Sequence, residues 1–97
     1  MPSEPTVTDN PARSRYEIHV DGRRAGLARY RDGGGDGVVT FDHTEVDDAY
    51  EGQGLGGRLA RGALDDVRAR GLRVVAECPF IRRWIDEHEE YQDLLAA

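Results

Sequence analysis

Five glycines between positions 52 and 62, in the stretch EGQGLGGRLARG, constrain this chain more than any other feature. They surround the start of a segment in which apolar residues recur at the spacing of an amphipathic helix. Gly71 is a typical residue for ending that helix. The helix is therefore predicted to begin at Leu55, directly behind a glycine-rich turn. Its predicted apolar face consists of Leu55, Leu59, Ala60, Ala63, Leu64 and Val67.

The segments on either side of this helix have the patterns of β-strands. Alternation in YEIHV predicts a first strand at 16–20, and the Asp21-Gly22 pair predicts a hairpin into a second strand in RAGLARYR. The DGGGDG stretch at 32–37 is typical of a flexible loop, because glycine loses much backbone entropy in regular structure. β-Branched and aromatic residues predict strands at 38–46 and 72–78.

These elements predict one α+β domain. The strands flanking the helix form a central parallel βαβ unit, and the earlier strands pair as antiparallel hairpins, so the sheet is mixed and mainly antiparallel. Residues 80–95 have mostly helical spacing, with a break near His88. Residues 1–14 are rich in Pro, Ser and Thr and are predicted to be a flexible tail, which leaves 15–97 as the domain.

Composition excludes some classes of protein. The 13 basic and 19 acidic residues give a formal charge of -6, which disfavours a nucleic-acid partner. No apolar run approaches the ~20 residues of a membrane span, and the N-terminus lacks the pattern of a secretory signal. The single cysteine, Cys78, cannot form an internal disulfide, so a cytoplasmic location is expected.

A glycine-rich turn before a helix is a typical anion-binding structure. The first N–H groups of a helix have no partner inside it, the helix dipole is positive there, and glycine lets a phosphate oxygen approach closely. The N–H groups of residues 53–57 are the predicted cradle. The alternative is a tight turn that needs glycine only for its dihedral angles.

This segment can be set against two known phosphate-binding motifs, and it satisfies only one of them. The Walker A motif requires lysine and Ser/Thr after its last glycine, and Gly57 is followed by Arg58 and Leu59 instead. Gly52-x-Gly54-x-x-Gly57 satisfies the dinucleotide fingerprint, and Glu77 lies where a ribose-binding acid is expected. Against a dinucleotide, DDAYE separates the strand from the first glycine, and the chain is too short for enough parallel strands.

The segment VDDAYEGQGLGGRL resembles the pyrophosphate-binding segment of the GNAT acetyltransferase superfamily. The stretches FDHTEV, YEGQGLG and ECPFIRRWIDEHEEY resemble a branch of minimal, roughly hundred-residue members with a Cys-Pro-Phe motif, and the resemblance extends from Tyr16 to Leu95. It implies a GNAT-like fold, acetyl-CoA or coenzyme A as co-substrate without a metal, and transfer of an acetyl group to an amine. The implied coenzyme A-binding residues are Val46, Gln53, Gly54, Leu55, Gly56, Gly57 and Arg58.

Three positions depart from the pattern of this branch. Glu51 stands where Arg or Gln is usual, so backbone N–H groups and Arg58 would have to anchor the pyrophosphate. Glu89 replaces a usual proline, and Trp84 replaces an aromatic residue that is often tyrosine.

The resemblance implies roles for four residues. Glu45 occupies the position of a general base, and His43 is a second candidate; period-two alternation places both on one face of the third strand with Phe41. Cys78 is expected beside the thioester, either as an acyl-accepting nucleophile, as a thiol without a covalent role, or as a buried structural residue. Tyr91 is either the acid that protonates the leaving thiolate or a ring packed in the core.

Three functions remain open at this point. The first is an acetyl-CoA-dependent N-acetyltransferase; Glu45 and Cys78 favour it. The second is an acyl-CoA-binding module with little turnover, acting as a regulator or partner subunit; Glu51 favours it. The third is a structural domain without a ligand. The hairpin at Asp21-Gly22 replaces the longer segment of larger relatives, which predicts an open cleft for a small-molecule or protein amine, in a monomer or weak homodimer.

Overall fold

A computed structural model describes residues 4–32 and 35–96, and it contains a five-stranded sheet with helices packed on it. The strands lie side by side in chain order, all antiparallel except the parallel pair β4–β5. The predicted α+β fold with its parallel βαβ unit is therefore confirmed. The strands are β1 (Thr6–Asn10), β2 (Arg15–Val20), β3 (Arg23–Asp32), β4 (Val38–Val46) and β5 (Arg73–Ala76). The helices are α1 (Leu55–Ala69), α2 (Pro79–Asp86) and three 3₁₀ segments, Pro11–Arg13, Asp48–Tyr50 and Glu89–Leu94.

The strand β1 lies within the segment that the sequence predicted to be a flexible tail. Residues 6–10 pair with β2 along their whole length, and Val7 packs against α1 at Gly62. A side chain at Gly62 would bring a Cβ within 2.7 Å of the Val7 Cβ, so the contact requires glycine. The tail prediction is wrong for residues 6–10, because pairing with β2 supplies what their weak local pattern lacks. Residues 1–3 of that tail, and residues 33–34 of the predicted glycine loop, lie outside the described residues.

Helix α1 forms the centre of the core, as its apolar spacing predicts. All six residues of its predicted apolar face are buried. The helix ends at Ala69, and Gly71 follows with a φ of 71°, a left-handed conformation that glycine adopts at little cost. The predicted helix stop is therefore confirmed.

A β-bulge in β4 shifts the alternation of its side chains by one residue. Tyr30 of β3 pairs with Phe41, but the preceding Arg29 pairs with His43, so Asp42 is an extra residue in β4. Beyond the bulge, Thr44 pairs with Ala28, which shares a face of β3 with Tyr30. Phe41 and Thr44 therefore face the helices, and His43 and Glu45 face the other side of the sheet. The prediction that Phe41 shares a face with them is wrong, because the extra residue interrupts the alternation.

The C-terminal segment breaks at the predicted place. Helix α2 starts with Pro79 at its first turn, ends at Asp86, and is followed by a 3₁₀ segment whose N-cap is His88. The side chains of Ile81, Trp84 and Ile85 are buried in the same core cluster as α1. The chain then returns to β5, where the Ala96 N–H donates to the Val74 carbonyl at 2.8 Å.

Two tyrosines, the buried Tyr16 and the half-buried Tyr30, connect β2 to α1 and β3 to β1. The Tyr16 hydroxyl donates to Asp66 of α1 at 2.6 Å, and the Tyr30 hydroxyl donates to Asp9 of β1 at 2.7 Å. Arg70 forms ion pairs with both carboxylates, at 2.9 and 3.2 Å. Burial, followed by the hydrogen-bonded carboxylate, raises the pKa of each tyrosine well above its ordinary value.

We expect Tyr16→Phe to lower the free energy of unfolding by about 1.5–3 kcal/mol at neutral pH, because it removes a hydrogen bond to a charged group. A tyrosine whose folded pKa is raised contributes stability below its unfolded pKa of about 10 and loses it as pH rises above that value. The variant should therefore lose less stability than wild type above pH 10. Urea unfolding of wild type and Tyr16→Phe at neutral pH and above pH 10 measures this difference in stability, with Tyr50→Phe as a control outside the hydrogen-bond network of Tyr16. An unchanged alkaline slope in Tyr16→Phe would contradict it.

Candidate active site

The parallel pair β4–β5 separates partway along β4. The ladder runs from Val38 with Arg73 to Phe41 with Ala76, and the N–H groups of Glu77 and Cys78 then both donate to the Phe41 carbonyl. Strand β5 ends there, because Pro79 starts α2, whereas β4 continues to Val46. This arrangement opens a gap between the second half of β4 and the start of α2.

The side chains of His43 and Glu45 meet on the face of the sheet opposite to the helices. His43 Nε2 lies 3.1 Å from Glu45 Oε2, and the two side chains are 47% and 61% exposed, so both are accessible to an incoming molecule. Glu45 also lines a cleft of about 330 Å³ together with Leu27 and Asp48. The structure therefore brings these two candidates together beside a cleft.

Cys78 lies at the gap between β4 and the start of α2. It is the N-cap of α2, only 4% exposed, and its thiol donates to the Thr44 hydroxyl at 3.3 Å. Thr44 and Glu45 are consecutive residues of β4 that face opposite sides of the sheet. The Cys78 thiol therefore contacts β4 on its helix side, and the Glu45 carboxylate projects from the opposite side of the strand one residue further along.

The N–H groups in the first turn of α1 have no partner inside the helix. Gly54 is the N-cap, with a φ of 73° and no side-chain hydrogen bond to the helix. The N–H groups of Leu55, Gly56 and Gly57 precede the first intrahelical bond, which Arg58 donates to the Gly54 carbonyl at 3.3 Å. The chain links this helix start to the end of β4 through residues 47–53, which include the 3₁₀ segment Asp48–Tyr50. Val46, the last residue of β4, pairs with Gly26 of β3.

The glycines at the start of α1 have a packing function that the sequence did not indicate. A Cβ on Gly56 would lie 2.9 Å from Phe80 Cζ, and a Cβ on Gly57 would lie 3.5 Å from Trp84 Nε1. Glycine at position 56 lets the Phe80 ring lie close to the first turn of α1, whereas a Cβ at position 57 would make only an ordinary contact with Trp84. Phe80, although 42% exposed, is held against the helix start by this contact.

The charged residues around the helix start are exposed. Arg58 forms a 3.4 Å ion pair with Glu4, whose side chain is 86% exposed, so this pair is weak and replaceable. Glu51 and Gln53 are exposed residues of the turn before the helix. The departure at Glu51 thus places a carboxylate in solvent, close in sequence to the free N–H groups.

Tyr91 and Cys78 lie in the same core cluster, but the Tyr91 hydroxyl bonds to residues of α1, whereas the Cys78 thiol contacts Thr44 of β4. Its hydroxyl accepts a bond from Arg61 at 3.1 Å and donates to Asp65 at 2.7 Å, and the residue is 5% exposed. Burial and the bond to Asp65 raise its pKa, while Arg61 opposes the shift. The structure supports the alternative that the ring packs in the core, and a role for Tyr91 as general acid stays a prediction.

A second pocket, of about 270 Å³, lies between α1 and the end of α2. The indole of Trp84 and the imidazole of His88 stack with centroids 3.8 Å apart, and Arg61 lies over the indole at 5.4 Å. Sequence reasoning missed this pocket, because the stacking of His88 on Trp84 depends on the path of the chain after α2 ends at Asp86. It is lined by Gly54, Gly57, Arg58, Arg61, Trp84 and His88.

Among residues 4–32 and 35–96, no group of three or more His, Cys, Asp or Glu side chains is placed to hold a metal ion. None of the described helices combines the length and the apolar character needed to cross a bilayer.

Comparison with known proteins gives a family match over most of the chain. Residues 15–94 match the family described as GCN5-related N-acetyl-transferase. Protein NATD1 of Bos taurus is 41% identical over 51 residues, which are 53% of this chain and 45% of that protein. Protein NATD1 of Mus musculus is 30% identical over 82 residues, 84% of this chain and 74% of that protein. The matched segment therefore spans less than half of the bovine relative.

Solved structures show the same fold. A GCN5-like protein of Staphylococcus aureus, determined by NMR in solution, superposes with a TM-score of 0.70 at 22% identity, over 95% of this chain and 88% of that one. A ribosomal-protein-alanine N-acetyltransferase of Brucella melitensis biovar Abortus 2308 superposes with a TM-score of 0.58 at 24% identity, over 86% and 61%. At these identities the likeness concerns the fold alone.

Proposed function

This chain belongs to the GCN5-related N-acetyltransferase family, and on that premise we propose that it transfers an acetyl group from acetyl-CoA to an amine. The observation that carries the proposal is the gap where β5 ends and β4 continues. One edge of β4 is free of β5 from Asp42 onward, and this edge leads to the free N–H groups at the start of α1. In the proposal, the extended arm of acetyl-CoA lies along the free edge of β4, and its diphosphate lies at the N–H groups that start α1.

The donor groups fit a diphosphate at the helix start. Phosphate oxygens accept hydrogen bonds, and the first turn of α1 presents N–H donors without a side-chain cap. The unpaired edge of β4 presents N–H and carbonyl groups suited to the amide groups of a pantetheine arm. In the proposal, Gln53 to Gly57 hold the diphosphate through their backbone, and Val46 lies along the arm.

The reaction requires a base, and Glu45 is the proposed one. An ammonium group gives a proton to the Glu45 carboxylate, and the neutral nitrogen attacks the thioester carbonyl carbon. The C–N bond forms and the C–S bond breaks. The nitrogen loses its second proton as it becomes an amide, and the departing thiolate takes up that proton. His43, at 3.1 Å, orients the Glu45 carboxylate. The open face of the sheet gives an amine on a small molecule or on a protein access to Glu45.

A thermal-shift titration with coenzyme A and acetyl-CoA tests the proposal, with NAD and ATP as controls. A ligand at a hundred times its Kd stabilises the native state by about 2.7 kcal/mol. We expect coenzyme A and acetyl-CoA to raise the melting temperature and NAD to leave it unchanged. A response to NAD alone would support a dinucleotide site instead, and no response to either coenzyme would overturn the proposal.

The alternative is a module that binds acyl-CoA without turnover, and the exposed carboxylate of Glu51 beside the helix start favours it. Both functions require binding, so only chemistry separates them. Free thiol released from acetyl-CoA in the presence of a panel of amines measures turnover. Release above the background without enzyme supports the transferase, and background release with every amine supports the module.

For Cys78 we propose a position beside the acyl group without a covalent role, because its thiol is buried and donates to Thr44. Cys78→Ala should then reduce the rate of thiol release by no more than about tenfold, whereas removing a true nucleophile costs about 10³-fold or more. Intact-protein mass spectrometry after incubation with acetyl-CoA alone should show unmodified protein. An acetylated wild type that is absent in Cys78→Ala would establish an acyl-cysteine instead.

A further inference from the structure

The side chain of Thr44 lies on the helix side of β4, at the gap between this strand and the start of α2. Thr44 follows the bulge and is half-buried. The Cys78 thiol, at the start of α2, donates to the Thr44 hydroxyl oxygen at 3.3 Å. This contact joins β4 to α2 beyond the end of β5 at Ala76. The Thr44 hydroxyl is therefore fixed beside the free edge of β4, where the arm of acetyl-CoA lies in the proposed function.

The Thr44 hydroxyl is a hydrogen-bond donor whose hydrogen is not used by the fold. A threonine hydroxyl has one O–H donor and two acceptor lone pairs. The Cys78 thiol takes one lone pair, and no residue among 4–32 and 35–96 accepts a bond from the Thr44 O–H. Because the S–H of Cys78 points at the oxygen, the hydrogen of the hydroxyl is turned away from Cys78. Thr44 can therefore donate to a molecule in the gap without losing its contact with α2.

The proposed reaction requires such a donor at the leaving group. Negative charge develops on the sulfur of acetyl-CoA as the C–S bond breaks, and a donor already in place at that atom lowers the barrier. The bond is strengthened where the donor is partly shielded from water, as Thr44 is. The Tyr91 hydroxyl gives its hydrogen to Asp65 at 2.7 Å, so Thr44 is the better placed donor of the two.

Thr44 and Glu45 lie on opposite faces of β4, as the two ends of the reaction require. The Glu45 carboxylate is on the open face of the sheet, whereas Thr44 faces the helices. A carboxylate on the same side would accept the hydrogen bond of the hydroxyl itself. Consecutive residues of a strand are only about 3.3 Å apart along the chain, yet their side chains point to opposite faces. One strand thus places a base and a donor on the two sides of the same thioester.

We propose that the Thr44 hydroxyl donates a hydrogen bond to the sulfur of acetyl-CoA as the C–S bond breaks, and that Cys78 is a positioning residue for this hydroxyl. The proposal rests on the proposed function, since it assigns a further residue to the same reaction. No proton leaves Thr44 or Cys78. The hydrogen bond stabilises the electron pair that the sulfur receives from the C–S bond, and the sulfur then takes up the second proton of the nitrogen.

The test measures the rate of thiol release in a single turnover, with enzyme in excess over acetyl-CoA and with an amine that wild type acetylates. Thr44→Val removes the hydroxyl and should lower this rate by about 10- to 100-fold, the effect of losing a hydrogen bond to a developing charge. Its Kd for acetyl-CoA, from titration calorimetry, should stay within about threefold of wild type, because the bond is made in the transition state. Thr44→Ser restores the hydroxyl and should restore the rate to within about threefold of wild type.

Thr40→Val is the matched control. It makes the same change on β4 at a half-buried residue that pairs with β5, before the gap begins, and it should keep the wild-type rate. Thr44→Ala is a second variant without the hydroxyl, and it should lose as much rate as Thr44→Val. Poor folding of one of these two variants therefore leaves the other to decide the result.

A double variant tests the positioning role of Cys78. Cys78→Ala should slow wild type by no more than about tenfold and should not slow Thr44→Val further, because Cys78 acts through the hydroxyl that this variant lacks. Cys78→Ser keeps a donor and should slow wild type less than Cys78→Ala does. Losses that multiply in the double variant would overturn the role of Cys78.

The outcomes separate this inference from the proposed function. Equal single-turnover rates of Thr44→Val and wild type, or a Thr44→Ser as slow as Thr44→Val, would overturn the role of Thr44 and leave the proposed function intact. A wild type that releases no thiol with any amine would overturn the transferase itself.

Discussion

Glu45→Gln is expected to lower the rate of acetyl transfer by about 10²–10⁴-fold, the usual contribution of a general base. Glutamine has the same shape but cannot take a proton from the acceptor ammonium. Since the Glu45 side chain is 61% exposed, the variant should keep the stability of wild type. Its affinity for acetyl-CoA should also be unchanged, because the proposed binding contacts to that molecule are made by the backbone.

The measurement is the initial rate of thiol release with an amine from the panel, at saturating acetyl-CoA. Glu77→Gln is the matched control: that carboxylate is also exposed, at 51%, and is paired with Arg31. It should keep the rate within about threefold of wild type, as expected for a surface substitution. Equal rates for Glu45→Gln and wild type would remove Glu45 from the mechanism and leave the base unassigned.

Phe41→Ala is expected to lower the free energy of unfolding by about 3–5 kcal/mol, the usual cost of removing a fully buried aromatic ring. Phe41 is 0% exposed and lies within 6.1 Å of the Tyr16 ring and 6.3 Å of the Tyr30 ring, centroid to centroid. A domain of this kind has a total stability of roughly 5–15 kcal/mol, so the loss is a large part of it. Urea unfolding followed by far-ultraviolet circular dichroism measures the change.

Two further variants make this prediction specific. Phe80→Ala removes the same ring from a position that is 42% exposed, and it should cost about 1 kcal/mol. Phe41→Leu keeps most of the volume and should cost less than Phe41→Ala. Similar losses in Phe41→Ala and Phe80→Ala would show that the ring of Phe41 is not part of the core on which the sheet depends.

The elements with strong local patterns could be predicted from the sequence. Six apolar residues of α1 at helical spacing are all buried, and β4 has the predicted bounds of 38–46. The strand β1 could not be predicted, because Thr6–Asn10 becomes a strand only through pairing with β2 and contact of Val7 with Gly62. Such contacts join distant parts of the chain, and the hydrophobic pattern of a short segment does not indicate them.

The candidate site could be predicted only in part, because it too depends on contacts between distant parts of the chain. The proximity of His43 to Glu45 follows from their spacing along one strand, but their position opposite Phe41 depends on a bulge that alternation alone does not show. The sequence indicates that the glycines around the start of α1 leave space for a phosphate, yet Gly56 also makes room for Phe80. The pocket with Arg61 forms only when α1 and α2 pack together, so the sequence did not indicate that its residues lie close to each other.

The bulge at Asp42 has a consequence for how this small domain could change over time. Because one inserted residue places the His43 side chain on the side of the sheet opposite to Phe41, position 43 can vary without a large loss of stability. Position 41, on the same strand, is held by its neighbours. New acceptor preferences could therefore arise at one end of the strand while the other end continues to maintain the architecture.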